Sequence, residues 1–506
     1  MDLFYVRDYC WNAYRWKRIN QSACFDIICE SNCYVYHILI AIDRFIVNQN
    51  ILLQRMIMME LAKDLCFNGE IVTPNDIEYE EDRQVWNRAI QKYPIAILYC
   101  TSREDVISAL RFCIRKNIEF RIRSGGHNYE GYSIGNNVIV IDVSRMKKIS
   151  INELTNTVKI ESGVENNELY EYVGTRGYPF PGGTCPTVGV AGYTLGGGWG
   201  LSCRLFGLGI DNVLEFELVD YRGKIIIANR DCNSDLFWAL RGGAGGNFGI
   251  VISLTFRLPP KLNKVTEFTI SYPNTTPLEQ ARIMDIFQNL YQTLDRRVNM
   301  RASFYNSADE GVAAFIIGLF YGDIEELKKI LKPLLVLPRA EADFEYTTFL
   351  NATKKIGAIY NASEKFKSAG RFADRIYSKH ELLKLASSIQ EKPIGSVYAA
   401  VTFYGLGGAV KDKGKHETAF YYRDSNYIIG IQSVWENSIY AEENKEWVAS
   451  RLNYIKMITE GSYVNFPYSP LRNYEKEYYG GNVCRLKYIN EKYDPFNIFN
   501  YPQSIK

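Results

Sequence analysis

Two short glycine-rich stretches hold the side chains best suited to chemistry. Residues 123–133 read RSGGHNYEGYS and enclose His127; residues 182–200 read GGTCPTVGVAGYTLGGGWG and enclose Cys185. A tight glycine-rich turn exposes successive backbone N–H groups and lets the main chain come close to an anion, as a pyrophosphate requires. The first stretch, with Arg123, Ser124, Gly125, Gly126, Asn128 and Ser133 around His127, therefore reads as a pyrophosphate cradle. Alone, Gly-Gly-His is equally a turn around a satisfied histidine. Here it is followed by Val-Ile-Val-Ile-Asp142, a buried-strand pattern, then by Cys185, then by a third glycine-rich stretch at residues 236–249, LFWALRGGAGGNFG. A dinucleotide fingerprint needs G-x-G-x-x-G straight after a first strand, with an acidic residue about twenty positions on. The run Gly196-Gly197-Gly198 has no such framing, and no G-x-x-x-x-G-K-[ST] supports phosphate transfer.

The three motifs and the C-terminus resemble the berberine bridge enzyme-like branch of the vanillyl-alcohol oxidase flavoproteins, which includes gluco-oligosaccharide oxidases. The resemblance covers roughly residues 85–506. It implies FAD tethered twice, through His127 to the flavin 8α position and through Cys185 to C6. It also implies that Gly189, Gly192 and Gly196 in the second loop, Gly249, Ile250 and Val251 after the third, and Tyr479 and Asn482 in the closing segment 478–499 lie at the cofactor. Val188 takes the place that the family sets beside the flavin C4a face, with valine in many oxidases and leucine in members that react poorly with oxygen. One methylene is a small volume, yet close-packed interiors are sensitive to it; oxygen is the acceptor this residue implies.

Flavin oxidation of an alcohol moves a hydride to N5 while a base takes the hydroxyl proton. The family's carbohydrate oxidases use a tyrosine in a Y-x-N segment, which Tyr463-Val-Asn465 matches. A free phenol has a pKa of about 10, so Tyr463 needs a donor or cation to favour its phenolate, and the sequence does not identify one. The segment 429–435, IGIQSVW, resembles the family's substrate-facing strand. Alkaloid-cyclising members carry a glutamate base there; Gln432 cannot take a proton near neutral pH and is expected to orient a substrate hydroxyl. Plant members with this glutamine tend to have lysine two positions earlier, where this chain has Gly430. Tyr129 and Trp199 match positions used near flavin and substrate, with Trp199 offering a broad face to a sugar ring.

Composition fits a large globular enzyme. The chain has 506 residues, 47% of them hydrophobic, a net charge of +2 and 14% aromatic residues. Two or three domains are expected at that length, and near-balanced charge without a clustered basic face argues against nucleic acid. Eleven cysteines show no paired C-x-x-C spacing, so no metal site is expected, and the thiols are expected to be mostly free and buried. The apolar run 34–46 is broken by Asp43 and Arg44 before reaching the about twenty residues that span a bilayer. With no clear signal peptide, a cytoplasmic location is the default expectation, a leaderless surface or spore-associated one the alternative.

The supporting elements follow from patterning. Residues 94–100 read as a strand, Ser102 to Asp105 as a capping box opening a helix through 112, and 118–122 as a strand feeding the His127 loop. Residues 213–219 alternate as a strand, and Pro259-Pro260 closes the unit. Strands at 267–272, 313–321, 396–404 and 427–434, separated by helix-like charged segments, indicate an antiparallel sheet. The expected fold is α+β: a two-subdomain PCMH-type FAD-binding domain plus a substrate domain with an antiparallel sheet flanked by helices. Expected boundaries are 1–58 (an extension outside the catalytic fold), 59–262 (FAD-binding), 263–447 (substrate-binding) and 448–506 (a segment returning to the FAD domain). The expected function is an FAD-linked oxidase of an alcohol or carbohydrate that reduces oxygen to hydrogen peroxide. The alternatives are a dehydrogenase or secondary-metabolite tailoring oxidase, and a structural or coat flavoprotein with little turnover. Oligomeric state is not legible.

Overall fold

The structure, a computed structural model, describes residues 67–506. The expected N-terminal extension 1–58 lies outside the described residues, as do the first residues expected of the FAD-binding domain.

Among the described residues, the sheet nearest the N-terminus has the strand order Glu70–Val72, Ala96–Tyr99, Ile139–Asp142, Phe120–Arg123, with the first pair antiparallel and the other pairs parallel. Ala96–Tyr99 and Ile139–Asp142 are buried along their whole length. A parallel strand covered on both faces has no polar side to show, which is why both read as unbroken apolar runs. The helix Arg103–Lys116 crosses from Ala96–Tyr99 to Phe120–Arg123. The Ser102 hydroxyl accepts from the Asp105 N–H at 3.1 Å, and the Asp105 carboxylate accepts from the Ser102 N–H at 3.0 Å, closing the capping box that the sequence predicts. Val106, Ala109, Leu110, Phe112 and Cys113 form the buried stripe.

Tyr99, Arg123 and Asp142 end three neighbouring strands. The Arg123 guanidinium bonds the Asp142 carboxylate through Nε, the Tyr99 hydroxyl through Nη2 at 3.1 Å and the Asp82 carbonyl through Nη1 at 2.6 Å. The strand ends are thus clamped at the point where the His127 loop departs.

A second sheet, antiparallel throughout, has the order Ile149–Asn152, Thr157–Glu161, Ile250–Arg257, Val213–Val219, Ile225–Asn229. The third, also antiparallel, has eight strands: Glu341–Thr347, Val265–Tyr272, Gly311–Phe320, Val298–Ser307, Ser396–Gly405, Tyr427–Trp435, Lys365–Ala373 and Glu460–Ser462. One face of it packs on helices. Phe287 of the helix Pro277–Thr293 lies 5.7 Å from the Phe403 ring and 5.7 Å from the Tyr427 ring. Along Val298–Ser307, Ala302 and Phe304 are fully buried, while Arg301, Ser303, Tyr305 and Ser307 border a large cavity on the opposite face. The helix Ala441–Ile458 runs through residues 447 and 448. The mixed fold class is as expected.

The described cysteines are free thiols, but not all are buried as expected. Cys100, Cys113 and Cys203 are buried and Cys185 is half-buried, whereas Cys232, on the connection after Ile225–Asn229, and Cys484, on the outer face of the helix Val483–Tyr493, are exposed. Among the described residues no helix is long and apolar enough to cross a membrane.

Breaking one side of a buried ion pair strands the other charge, at about 3–5 kcal/mol. Arg123→Met should therefore lower the unfolding free energy read from urea titration by that much, and Arg123→Met/Asp142→Asn should recover part of the loss. Additive losses in the double variant would show that the two side chains do not act as a pair.

Candidate functional site

Two loops meet backbone to backbone at the cavity. A Cβ added at Gly125 would lie 2.4 Å from the Gly189 nitrogen, and one added at Gly189 would lie 2.5 Å from the Ser124 Oγ. Only glycine at both positions allows this approach. The Ser124 hydroxyl donates to the Ser162 carbonyl at 2.6 Å, and the Asn128 side chain accepts from the N–H groups of Glu130 and Tyr132, each at 3.1 Å, folding the loop back on itself. The cavity they border has a volume of about 1600 Å³.

His127 and Cys185 come together on one hydroxyl. The His127 Nε2 is 2.9 Å and the Cys185 Sγ 3.8 Å from the Thr187 Oγ1. The imidazole stacks on Trp86, ring centroids 5.2 Å apart and planes 25° apart. Burial, partly offset by contact with Thr187, holds the imidazole pKa down at about 4. The ring is therefore neutral at physiological pH and keeps a lone pair. Burial raises the Cys185 thiol against hydrogen bonding from Thr187, so it stays a thiol until a reaction draws its proton away.

Part of the remaining wall carries unpaired polar atoms. Trp86 Nε1, Tyr132 OH, Ser133 Oγ and Ser162 Oγ are buried on it without a protein hydrogen-bond partner. Buried polar atoms are seldom left unpaired. Four of them, with bare glycine loops and a volume of this size, fit a large cofactor carrying phosphates and a ring, and FAD is such a group.

At the other end lies Tyr463, 2% exposed. Its phenolic oxygen accepts from the Gly198 and Trp199 N–H groups, each at 3.2 Å, and from Asn465 Nδ2 at 3.1 Å. These are the donors that the sequence could not name. Burial pushes the phenol up to about 12, and the three donors pull against it. The Trp199 indole donates to the Gly405 carbonyl at 2.7 Å and meets the Tyr404 ring edge-on at 5.0 Å. Gln432, half-buried on Tyr427–Trp435, faces the cavity. Tyr129 stacks on Phe466 at 5.3 Å with planes 6° apart, and burial raises its phenol far above the usual range. A Cβ at Gly430 would lie 2.8 Å from the Tyr404 ring, so the tyrosine fills the place where a side chain at 430 would stand.

Of the expected cofactor residues, Ser124, Gly125, Gly126, His127, Asn128, Ser133, Cys185, Val188, Gly189, Gly192, Gly249 and Val251 line the cavity. Five stand off its wall, because each is committed elsewhere. Arg123 is spent on Asp142, Tyr99 and Asp82. Gly196 lies behind the Asn465 side chain. Ile250 is fully buried in its strand. The Tyr479 hydroxyl donates to the Gly243 carbonyl at 3.3 Å. The Asn482 amide donates to the carbonyls of Lys415, Thr418 and Ala419 at 2.9, 3.2 and 3.2 Å. The C-terminal segment still reaches the wall, through Tyr478, Phe499, Asn500, Tyr501 and Gln503. Trp86, Thr187, Tyr404, Tyr360 and Arg301 were not singled out from sequence. Of these, Tyr404 ends an expected strand and Thr187 lies within the second glycine-rich stretch.

Residues 94–229 match the family model described as FAD binding domain, and residues 462–506 the one described as berberine and berberine like. The uncharacterized FAD-linked oxidoreductase YgaK of Bacillus subtilis is 34% identical, over 86% of this chain and 96% of its own length. The carbohydrate oxidase of Microdochium nivale is 28% identical over 86% of this chain and 92% of its own length. Among solved structures, BBE-like 1 of Physcomitrella patens matches with a TM-score of 0.81 at 27% identity, covering 89% of this chain and 99% of that one. With the cavity, the two loops and the closing segment all falling inside these matches, the chain belongs to the berberine bridge enzyme-like and carbohydrate oxidase family of FAD-linked oxidoreductases.

Proposed function

We propose that the protein is an oxidase of alcohols, foremost of a sugar or oligosaccharide hydroxyl, that holds FAD through both His127 and Cys185 and passes electrons to oxygen, giving hydrogen peroxide. The observation that carries this reading is the Tyr463 oxygen with three N–H donors on it. A neutral phenol has its own proton to place and little need of three donors; a phenolate accepts all three. Two of the donors are backbone groups, fixed in advance, so they cost no reorganisation as charge develops. Similarity to the Microdochium nivale carbohydrate oxidase supports a sugar substrate.

The bound flavin would supply the hydride acceptor. The chain's own residues do the rest. Tyr463 accepts the hydroxyl proton on its phenolic oxygen. Gln432 orients the hydroxyl by hydrogen bonding without competing for the proton. Trp199, Tyr129 and Tyr404 offer flat apolar faces to a ring and keep water from the reacting carbon. Val188, on the wall beside Gly189, leaves the room that oxygen needs. The neutral His127 imidazole has the lone pair that a bond to carbon requires, and Cys185 stands on the same threonine hydroxyl, so both tethers would meet one edge of the flavin ring.

Flavin should stay with the denatured wild-type chain, with His127→Ala and with Cys185→Ala, and leave His127→Ala/Cys185→Ala, as read by fluorescence on denaturing gels. A colourless protein that reconstitution with FAD does not restore would overturn the catalytic reading. Tyr463→Phe should keep its flavin yet lower kcat by about 100-fold or more, the scale of a lost general base. Because burial pushes the Tyr463 phenol up to about 12, its base form is scarce at neutral pH. The rate on a sugar should accordingly climb about tenfold per pH unit from neutral into the alkaline range. Asn465→Ala should cost about a further tenfold at fixed pH, the worth of one donor to a charged oxygen. A flat pH profile, or a wild-type rate in Tyr463→Phe, would remove Tyr463 from the role.

A further inference from the structure

The Arg301 guanidinium borders the cavity with no acid beside it. It lies on Val298–Ser307, an inner strand of the eight-stranded sheet, directly opposite Tyr404. Nη1 donates to the Tyr360 hydroxyl at 2.6 Å, and Nε is buried without a partner. Its ionisable neighbours are the phenols of Tyr360, Tyr404, Tyr398 and Tyr129. Glu364, on the same wall, is held instead by Asn361 Nδ2 at 2.9 Å, and burial raises it toward the neutral acid. Asp309, Glu310, Glu341 and Glu436 also line the cavity; all are exposed to water, and none is bonded to Arg301. The side chain is half-buried, and a partly desolvated cation without an opposite charge gains most from a ligand that supplies one.

We propose that Arg301 is the anchor for an anionic group of the substrate, so that the cavity takes an alcohol that also bears a carboxylate. The planar guanidinium suits a carboxylate better than an ammonium would. Its place in the site fixes which end of the substrate is charged. Tyr404, beside Arg301, meets the Phe466 ring at 5.1 Å, and Phe466 meets the Tyr463 ring at 5.0 Å. The guanidinium bonds Tyr360, whereas the Tyr463 oxygen is held by Gly198, Trp199 and Asn465, so the carboxylate and the hydroxyl being oxidised are taken by different groups of the site. A uronic acid residue of a saccharide and a hydroxymethyl arene acid both have that form. The reaction rests on the oxidase reading above; the anion site rests on Arg301 alone.

The test pairs ligands that differ by one carboxylate. With the FAD-loaded enzyme, kcat/KM is measured by peroxide release on D-glucuronate against D-glucose and on 4-(hydroxymethyl)benzoate against benzyl alcohol. Binding of benzoate against benzamide is read separately from the flavin absorption spectrum, without turnover. The carboxylate member of at least one pair should be favoured by about 10- to 100-fold, the worth of a charge-assisted hydrogen bond. Benzoate should bind at least about tenfold tighter than benzamide. Arg301→Gln should bring both ratios towards one, and Arg301→Lys should keep part of each. If benzoate binds through Arg301 while no alcohol is oxidised, the anion site stands and the oxidase reading falls. If neutral alcohols are oxidised with no preference for a carboxylate, and benzoate binds no tighter than benzamide, the anion site falls and the oxidase reading stands.

Discussion

Everything at the site depends on two stretches of backbone lying in contact. Gly125 and Gly189 leave no room for a single carbon between them, and that contact brings the His127 loop and the Cys185 loop to the same wall. Either loop alone is an ordinary turn. Pressed together, they form a rim free of side-chain bulk at the contact, and they place an imidazole and a thiol on one threonine hydroxyl. The Arg123 clamp serves this contact from behind, since it fixes the strand end from which the first loop springs. The motif's arginine is spent on the scaffold, one step removed from the cavity wall.

Burial acts in opposite senses on the site's ionisable groups. It lowers the His127 imidazole and raises the Cys185 and Tyr463 groups, in each case favouring the neutral form. At Tyr463 alone do three N–H donors converge to oppose it. The wall therefore holds three neutral groups and sets one of them apart by the donors around its oxygen. The unpaired atoms at Trp86, Tyr132, Ser133 and Ser162 belong to the same pattern, because their partners are left for a ligand to supply.

The sequence was legible where structure is local. Ala96–Tyr99 and Ile139–Asp142 announce themselves as apolar runs, the helix Arg103–Lys116 by its Ser102 and Asp105, and Tyr427–Trp435 by alternation. Lys365–Ala373 was not legible: it buries Arg371, whose partners Thr459, Ser462 and Glu477 are 88 to 106 residues away. Val298–Ser307 hid in the same manner, with Arg301 and Ser303 where a strand over a dry core would show apolar residues. The motifs marked the loops correctly as neighbours of a cavity, but motif membership does not say where a side chain points. Arg123 turns to Asp142, and Asn482 turns to the carbonyls of 415–419. The role of Asn465 required the fold, since nothing in Y-x-N reveals that Gly198 and Trp199 aim at the same oxygen.

The three donors on Tyr463 come from two places. Asn465 travels with the tyrosine, whereas Gly198 and Trp199 are 265 and 264 residues away in sequence, on the loop that follows the thiol. The tyrosine itself is tied to the eight-stranded sheet by its N–H, which donates to the Gly370 carbonyl at 3.0 Å. Contacts already at 3.2 Å tolerate little stretching before they cease to be hydrogen bonds. A parting of loop and sheet by a fraction of an ångström would strip two donors at once and make the phenolate scarcer still. The phenolic oxygen carries its own interlock: its three donors converge only while the loop and the sheet are fully seated.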